Sequence, residues 1–445
     1  MSDRTESPDT GSGSVLDLLE RWYHVPALAA FVVLMLWARL QNFSEFVRDG
    51  DVYFRGNDAW YHYRETTYAM ENSLASMPFD PWTGFPFGTS VGQFGTLYEQ
   101  IGAVLVLVLS PVVGGEDPAM RAMLVIAPLF AAGTALVTYV LARRFVSKFS
   151  AVVAVGVLAL LPGTFFGYTL VGFYDHHAGE MLFQTVSVLA FLVAFAVAER
   201  EKPVWELVVD RDWVALKRPV AFAAAAGLAL GLYMWTWPPG VLMVGFTGIF
   251  LAIKITSDVY HGESPEPIAF AGAVSMAVAT GLMVLRLNSV TFNPVDYSLA
   301  QVLLPLGVAF GCLFLAWLAR QWENRDLDVA SYPAAVGGMI LVGAGIVAVV
   351  LPSIWGTISG NLLRIVGFST TATTQTIGEA APPLARYGFS QFGVSEYGLA
   401  FFLALFAVLY ILARPLIRSD DVRDTGYVAA AFVVIGSVYA LPQEY

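Results

Sequence analysis

Long apolar runs separated by polar stretches set the pattern of this chain. The runs cover 22–40, 119–142, 151–171, 179–198, 219–235, 240–256, 267–287, 298–319, 333–351, 396–413 and 425–442. Each is close to the roughly 20 residues that a helix needs to cross a bilayer. The pattern therefore predicts an all-α polytopic membrane protein with eleven spans. One further run, 101–113, has only 13 residues. It is expected to be a re-entrant or surface-lying helix, not a crossing. Residues 1–17 are polar and acidic and read as a disordered tail. This leader is not read as a cleavable signal peptide. Residues 18–445 form the transmembrane domain, interrupted by two long polar loops, 42–118 and 352–395. No internal repeat and no heptad pattern is visible.

Charge between the runs sets an orientation, because Lys and Arg accumulate on the cytoplasmic side. With the N-terminus inside and 101–113 not crossing, five loops face the cytoplasm. Together with Arg4 and Arg21 they carry 16 of the 24 basic residues, among them Arg143, Arg144, Lys148, Arg200, Arg320 and Arg418. A crossing at 101–113 would turn the later basic loops outward. The same assignment puts three polar clusters outside: Gly56-Asn57-Asp58, Tyr174-Asp175-His176-His177 and Thr376-Ile377-Gly378-Glu379.

Composition narrows the class. The chain is 57% hydrophobic and 13% charged, with mean hydropathy +0.64, against about 25% charged residues in soluble domains. The formal net charge of −11 argues against a nucleic-acid partner. It also suits high salt, where screening removes self-repulsion. A single cysteine, Cys312, excludes an intramolecular disulfide and a cysteine-based metal site.

Candidate chemistry gathers in the outer loops. The stretch Arg55 to Arg64 packs one carboxylate, two arginines, a histidine and three aromatics into ten residues. Gly56 permits a tight turn there, and Arg55 and Arg64 read as positioning charges. Asp175 and His177 are two apart, so in an extended segment both point the same way. A carboxylate and an imidazole suit Mn²⁺, Mg²⁺ or Zn²⁺, with Asp58 as a third ligand. His176 would then point elsewhere, toward a bound anion. Spacing alone leaves a second reading open, in which Asp175 caps the next span. Glu379, taken alone, reads as a solvated carboxylate. Trp235 and Trp237 precede a Pro-Pro-Gly turn and read by default as interfacial anchors. No phosphate loop, Gly-x-Ser-x-Gly or His-Glu-x-x-His motif is present.

Taken together and in order, these motifs resemble the archaeal and bacterial single-subunit oligosaccharyltransferases. Gly56-Asn57-Asp58 resembles their first acidic motif, and Tyr174-Asp175-His176-His177 their metal-binding motif in its archaeal form. Thr376-Ile377-Gly378-Glu379 matches their Thr-Ile-x-Glu motif. Trp235-Thr236-Trp237-Pro238 resembles the aromatic turn near their lipid-sugar site. The resemblance covers nearly the whole chain. Such enzymes have thirteen spans and a C-terminal globular domain with a Trp-Trp-Asp-Tyr-Gly motif, which this chain does not show; both are expected to lie beyond Tyr445.

The resemblance implies a GT-C-type membrane domain with the activity of an archaeal dolichyl-phosphooligosaccharide–protein glycotransferase. An oligosaccharide would move from a dolichyl mono- or diphosphate to the Asn of an Asn-X-Ser/Thr sequon, with inversion at the anomeric carbon. Asp58 and Glu379 would engage the acceptor amide. Asp58, Asp175 and His177 would hold a divalent ion, Mn²⁺ or Mg²⁺, with Zn²⁺ a further option. His176, Trp235 and Trp237 would contact the lipid-linked oligosaccharide. Partners would be that lipid, the acceptor protein and the surrounding membrane. The multi-pass protein would act on the extracellular face. Competing readings are another polyprenyl-phosphate-sugar-dependent glycosyltransferase of this architecture, a transporter, or a non-catalytic scaffold.

Overall fold

The computed structural model describes residues 20–92, 94–200, 204–365, 394–395 and 397–417. Among these, eight helical stretches are long and apolar enough to cross a membrane: His24–Phe46, Pro118–Ala142, His176–Ala198, Trp213–Thr236, Pro238–Tyr260, Glu266–Val284, Leu299–Glu323 and Val329–Val350. Each overlaps one of the expected spans, and the protein is a multi-pass membrane protein. The expected span 396–413 overlaps a further helix, Ala400–Ile417. The expected span 425–442 lies outside the described residues, as do Thr376, Ile377, Gly378 and Glu379.

The helices that position the site are α1 (His24–Leu40), α2 (Asp58–Glu71), α3 (Leu97–Val113), α4 (Ile126–Ala142), α5 (Lys148–Ala159), α6 (His176–Ala198), α7 (Trp213–Thr236), α8 (Val241–Tyr260), α9 (Glu266–Val284) and α10 (Leu299–Glu323). The main core lies among α6 to α10, with α7 packed between α6 and α9. Small side chains let these helices approach. Ala223, Ala226, Ala271 and Ala279 are fully buried, and Ser275 Oγ donates across the α7–α9 seam to Ala223 O at 2.8 Å. Large apolar side chains such as Phe310 and Leu341 point outward, as lipid contact requires.

The expected span 151–171 takes a different form. Helix α5 ends at Ala159, and a single turn, Thr164–Gly167, follows. Pro162 lies between them. Proline has no N–H to donate and its ring clashes with the preceding turn, so the helix stops. The broken segment still runs the length of α1. Lys148 Nζ donates to Arg21 O at one end, and Val171 N–H donates to Arg39 O at the other. Arg39, fully buried, bridges the break: Nε donates to Thr169 Oγ1 at 2.7 Å and Nη1 to Ala159 O at 3.3 Å. The guanidinium thus meets the negative end of the α5 dipole.

Helix α3 begins four residues before the run 101–113 and spans 17 residues. At 1.5 Å per residue this is about 26 Å, short of the ~30 Å hydrocarbon core. It packs against α2 and the short helix Pro118–Met123. The preceding segment carries two small antiparallel hairpins, Val47–Arg48 with Asp51–Val52 and Phe79–Asp80 with Thr89–Ser90.

These parts gather at one end of the bundle. Arg55 N–H donates to Gly172 O, Gly172 N–H to Leu124 O, and Thr96 N–H to Trp235 O. The C-termini of α1 and α7 and the N-terminus of α6 therefore meet under the segment 42–96. At the other end Lys254 pairs with Glu199 and Asp258, and Arg320 with Glu266.

Candidate metal centre

Helix α2 starts at Asp58, directly after Gly56, whose φ of +82° makes the turn expected there. Asp58 is exposed at this first helical position. Four residues on, the same helix face carries His62, which is 1% exposed. Arg64 turns away and grips the buried Asp80 with two donors, at 2.6 and 3.2 Å. That contact ties α2 to the hairpin strand Phe79–Asp80.

Asp175 is extended, with φ −148° and ψ 151°, and α6 begins at His176. It stands at the cap position, yet its side chain makes no cap hydrogen bond. Instead Oδ1 lies 2.7 Å from His176 Nδ1 and 3.2 Å from His62 Nε2. Neither contact has hydrogen-bond alignment, so this buried oxygen has no aligned donor. His62 Nε2 is also 3.2 Å from His176 Nδ1. On its far side, His62 Nδ1 meets Glu99 Oε1 at 2.5 Å. All four residues are at most 4% exposed.

Alternation along an extended strand would have sent His176 away from Asp175. The helix begins one residue too early for that rule, and His176 turns back onto the carboxylate. His177 instead joins a second group with His176 and Glu180, its Nδ1 3.3 Å from Glu180 Oε2. Its ring stacks on Tyr168 at 4.6 Å. Among the described residues, two sets of ligand atoms are thus close enough to share an ion: His62, Asp175 and His176, and His176, His177 and Glu180. Asp58 belongs to neither; it sits one turn out from His62, at the exposed rim. Sequence reasoning gave no role to His62, Glu99 or Glu180. A signal for His62 existed in its i+4 spacing from Asp58. For Glu99 the signal was a carboxylate at the head of an apolar helix.

Electrostatics follow the geometry. Burial opposes charge on Asp175, but the three histidines around it hold its carboxyl well below the usual range. Burial alone would depress the His62 imidazolium; Asp175 and Glu99 on either side push it up to about 10. Buried carboxylates need positive charge beside them; among the described residues no Lys or Arg pairs with Asp175 or Glu99, so that charge falls to an imidazolium or to a bound cation. The convergence of an unaligned carboxylate oxygen and two imidazole nitrogens is a donor set that fits a divalent ion.

Neither Trp235 nor Trp237 is a free interfacial anchor. Trp237 is 8% exposed and lies in the main core. Trp235 Nε1 donates to Thr96 Oγ1 at 2.8 Å, and the Arg286 guanidinium lies 4.9 Å from its ring. Its role here is to tie the segment before α3 to the end of α7.

Fold and site together define a multi-pass helical membrane protein with a buried carboxylate–imidazole centre at one end of its bundle. Residues 27–377 match the family model for oligosaccharyl transferase STT3, N-terminal. The chain is 44% identical over 438 residues to dolichyl-monophosphooligosaccharide–protein glycotransferase AglB of Haloferax volcanii, covering 97% of this chain and 42% of that protein. It shares the fold of the Archaeoglobus fulgidus oligosaccharyltransferase AglB in complex with an inhibitory peptide and a dolichol-phosphate, with TM-score 0.80 and 23% identity, over 96% of this chain and 48% of that one. The A. fulgidus oligosaccharyltransferase in complex with Zn and sulfate superposes with TM-score 0.69 and 22% identity, over 93% of this chain and 46% of that one. The chain belongs to the STT3 oligosaccharyl transferase family. It spans a little under half the length of these relatives.

Proposed function

We propose that this chain is the membrane part of an oligosaccharyltransferase that moves an oligosaccharide from a dolichyl phosphate carrier to the asparagine of an Asn-X-Ser/Thr sequon. The observation that carries this reading is the buried convergence of Asp175, His62 and His176, one helical turn from the exposed Asp58, in a chain of this family. The acceptor amide is a poor nucleophile, because its nitrogen lone pair is delocalised into the carbonyl. Asp58, at the exposed rim, and Glu379 would each accept a hydrogen bond from one amide proton and weaken that delocalisation. The N–C1 bond then forms on the face opposite the breaking C1–O bond. The phosphate leaves with the bonding electrons, and one amide proton passes to a carboxylate. Inversion at C1 follows from that geometry. A divalent ion, when bound, would supply positive charge for the phosphate oxygen as it leaves.

Asp175 and His177 are the ligands that the motif implies, with Asp58 reaching in from the rim. His176 and Trp235, with the Arg286 guanidinium 4.9 Å from the Trp235 ring, would border the space where the lipid-linked oligosaccharide would lie. The site faces the outside of the cell, and the N-terminus the cytoplasm, because the loops rich in Lys and Arg lie at the opposite end. Zn²⁺, Mn²⁺ and Mg²⁺ all suit a carboxylate–imidazole set.

The experiment is transfer to an Asn-X-Thr peptide by the full gene product. A chelator should abolish transfer, and Mn²⁺ or Mg²⁺ should restore it. Asp175→Ala should remain inactive at the ion concentration that restores the wild type. Full transfer in chelator would refute the reading.

A further inference from the structure

Glu99, the buried carboxylate behind His62, has no part in the mechanism above, and its geometry asks for one. We propose that His62 is a further ligand of the divalent ion held at Asp175, and that Glu99 is the positioning residue that fixes its ring. This rests on the reading of an ion at Asp175.

Three observations converge on it. His62 stands between two carboxylates: Nδ1 is 2.5 Å from Glu99 Oε1, and Nε2 is 3.2 Å from Asp175 Oδ1. A neutral imidazole that donates Nδ1–H to Glu99 must present its Nε2 lone pair to Asp175. A lone pair facing a carboxylate oxygen repels it unless a cation lies between them. Metal-bound histidines recur with a carboxylate behind the second ring nitrogen, which fixes the tautomer and raises the basicity of the ligating nitrogen. Second, Asp175 Oδ1 and His176 Nε2 are buried with no aligned partner among the described residues. Oδ1 faces into the same space as His62 Nε2. Third, Glu99 is 3% exposed and pairs with no Lys or Arg among the described residues. Its cost of burial is offset only through His62 and whatever His62 binds.

Local sequence delivers Glu99 to that place. It sits in the first turn of α3, and Gly102 follows one turn later on the same face. A Cβ at Gly102 would lie 2.3 Å from the Tyr174 hydroxyl, which itself hydrogen-bonds Thr66 Oγ1 at 2.6 Å. Only glycine lets α3 approach α2 and the 174–176 corner closely enough for Glu99 to reach His62. Tyr98, with no exposure, packs its ring 5.7 Å from His62 and closes the site on that side. The competing account is an imidazolium that bridges two carboxylates as a strut and never touches the ion.

Mn²⁺ affinity measured by calorimetry, with the spin-echo modulation of bound Mn²⁺ to report ligating nitrogens, separates the two. His62→Gln should weaken Mn²⁺ binding at least ~10-fold and remove one nitrogen from the modulation. Glu99→Ala should weaken it by about 10- to 100-fold, the range for groups that orient a metal-bound histidine. Glu99→Gln, which still accepts Nδ1–H, should recover most of that loss. A strut would predict no such recovery, because Gln, like Ala, lacks the charge that the strut needs. Each variant is first melted in ion-free buffer. Should Glu99→Ala not fold, His62→Gln and Glu99→Gln decide. Unchanged affinity and unchanged modulation in His62→Gln would overturn the proposal while leaving the ion at Asp175 intact. Unchanged affinity in Asp175→Ala would instead remove the ion reading on which it rests.

Discussion

Glu65 shows how costly the polar interior beside the candidate site is. It lies one turn beyond His62 on α2 and is 3% exposed. Burial, and then the negative charges of Glu99 and Asp80, push its carboxyl up to about 8. The folded protein therefore binds a proton there that the unfolded chain, with a value of 4.5, has lost. Stability from that proton is present at low pH and disappears as pH rises through about 8. Glu65→Gln mimics the protonated form at every pH. Thermal unfolding between pH 5 and 9 should show the wild-type midpoint falling more than that of the variant. Parallel curves would mean that Glu65 is ionised in the fold. At this scale the sequence was only partly legible. The polar stretch Arg55 to Arg64 stood out, but nothing in it distinguished an exposed Asp58 from a buried His62. That distinction depends on where α3 and the 174–176 corner pack, and both are distant in sequence.

Elements were easier to read than side-chain directions. Apolar runs of about 20 residues have few alternatives in a bilayer, because backbone groups must be satisfied within the segment. Eight such runs therefore became spans. The exception, 151–171, carries Pro162 near its middle. The apolar count could not show that Arg39 would supply the missing donors and hold a broken helix in place. Alternation failed at Asp175 for a similar reason. It assumed an extended segment through His177, and α6 starts at His176. The placement of α3 bears directly on orientation. If it does not cross, Ser90 faces out and Asp210 faces in; both residues are exposed. In a Cys312→Ala background, Ser90→Cys should react with an impermeant thiol reagent added to intact cells, and Asp210→Cys should not. Labelling of Asp210→Cys from outside would reverse the later loops and separate the site from the outer face.

At the scale of the whole molecule, helix ends do the work of assembly. The C-termini of α1 and α7, the N-terminus of α6 and the segment before α3 meet at one end, tied by Thr96, Trp235 and Arg286. Charged pairs tie the other end. Asp58 and Asp175, more than a hundred residues apart in sequence, are thus brought to one end of the bundle, Asp58 exposed at its surface and Asp175 buried. That shared end was legible from the Lys and Arg distribution alone, because charge asymmetry reports on whole loops and not on single side chains.

The central claim is that this surface activates an asparagine amide, and single-turnover transfer from lipid-linked oligosaccharide to an Asn-X-Thr peptide tests it most directly. Glu379→Gln keeps the shape of the side chain but would lose the charge-assisted hydrogen bond proposed to the acceptor amide. In the full gene product, transfer should fall about 10²-fold or more, the scale of one well-placed electrostatic group, while Mn²⁺ affinity stays at the wild-type value. Wild-type transfer by Glu379→Gln would contradict asparagine activation and point to a hydroxyl acceptor in its place.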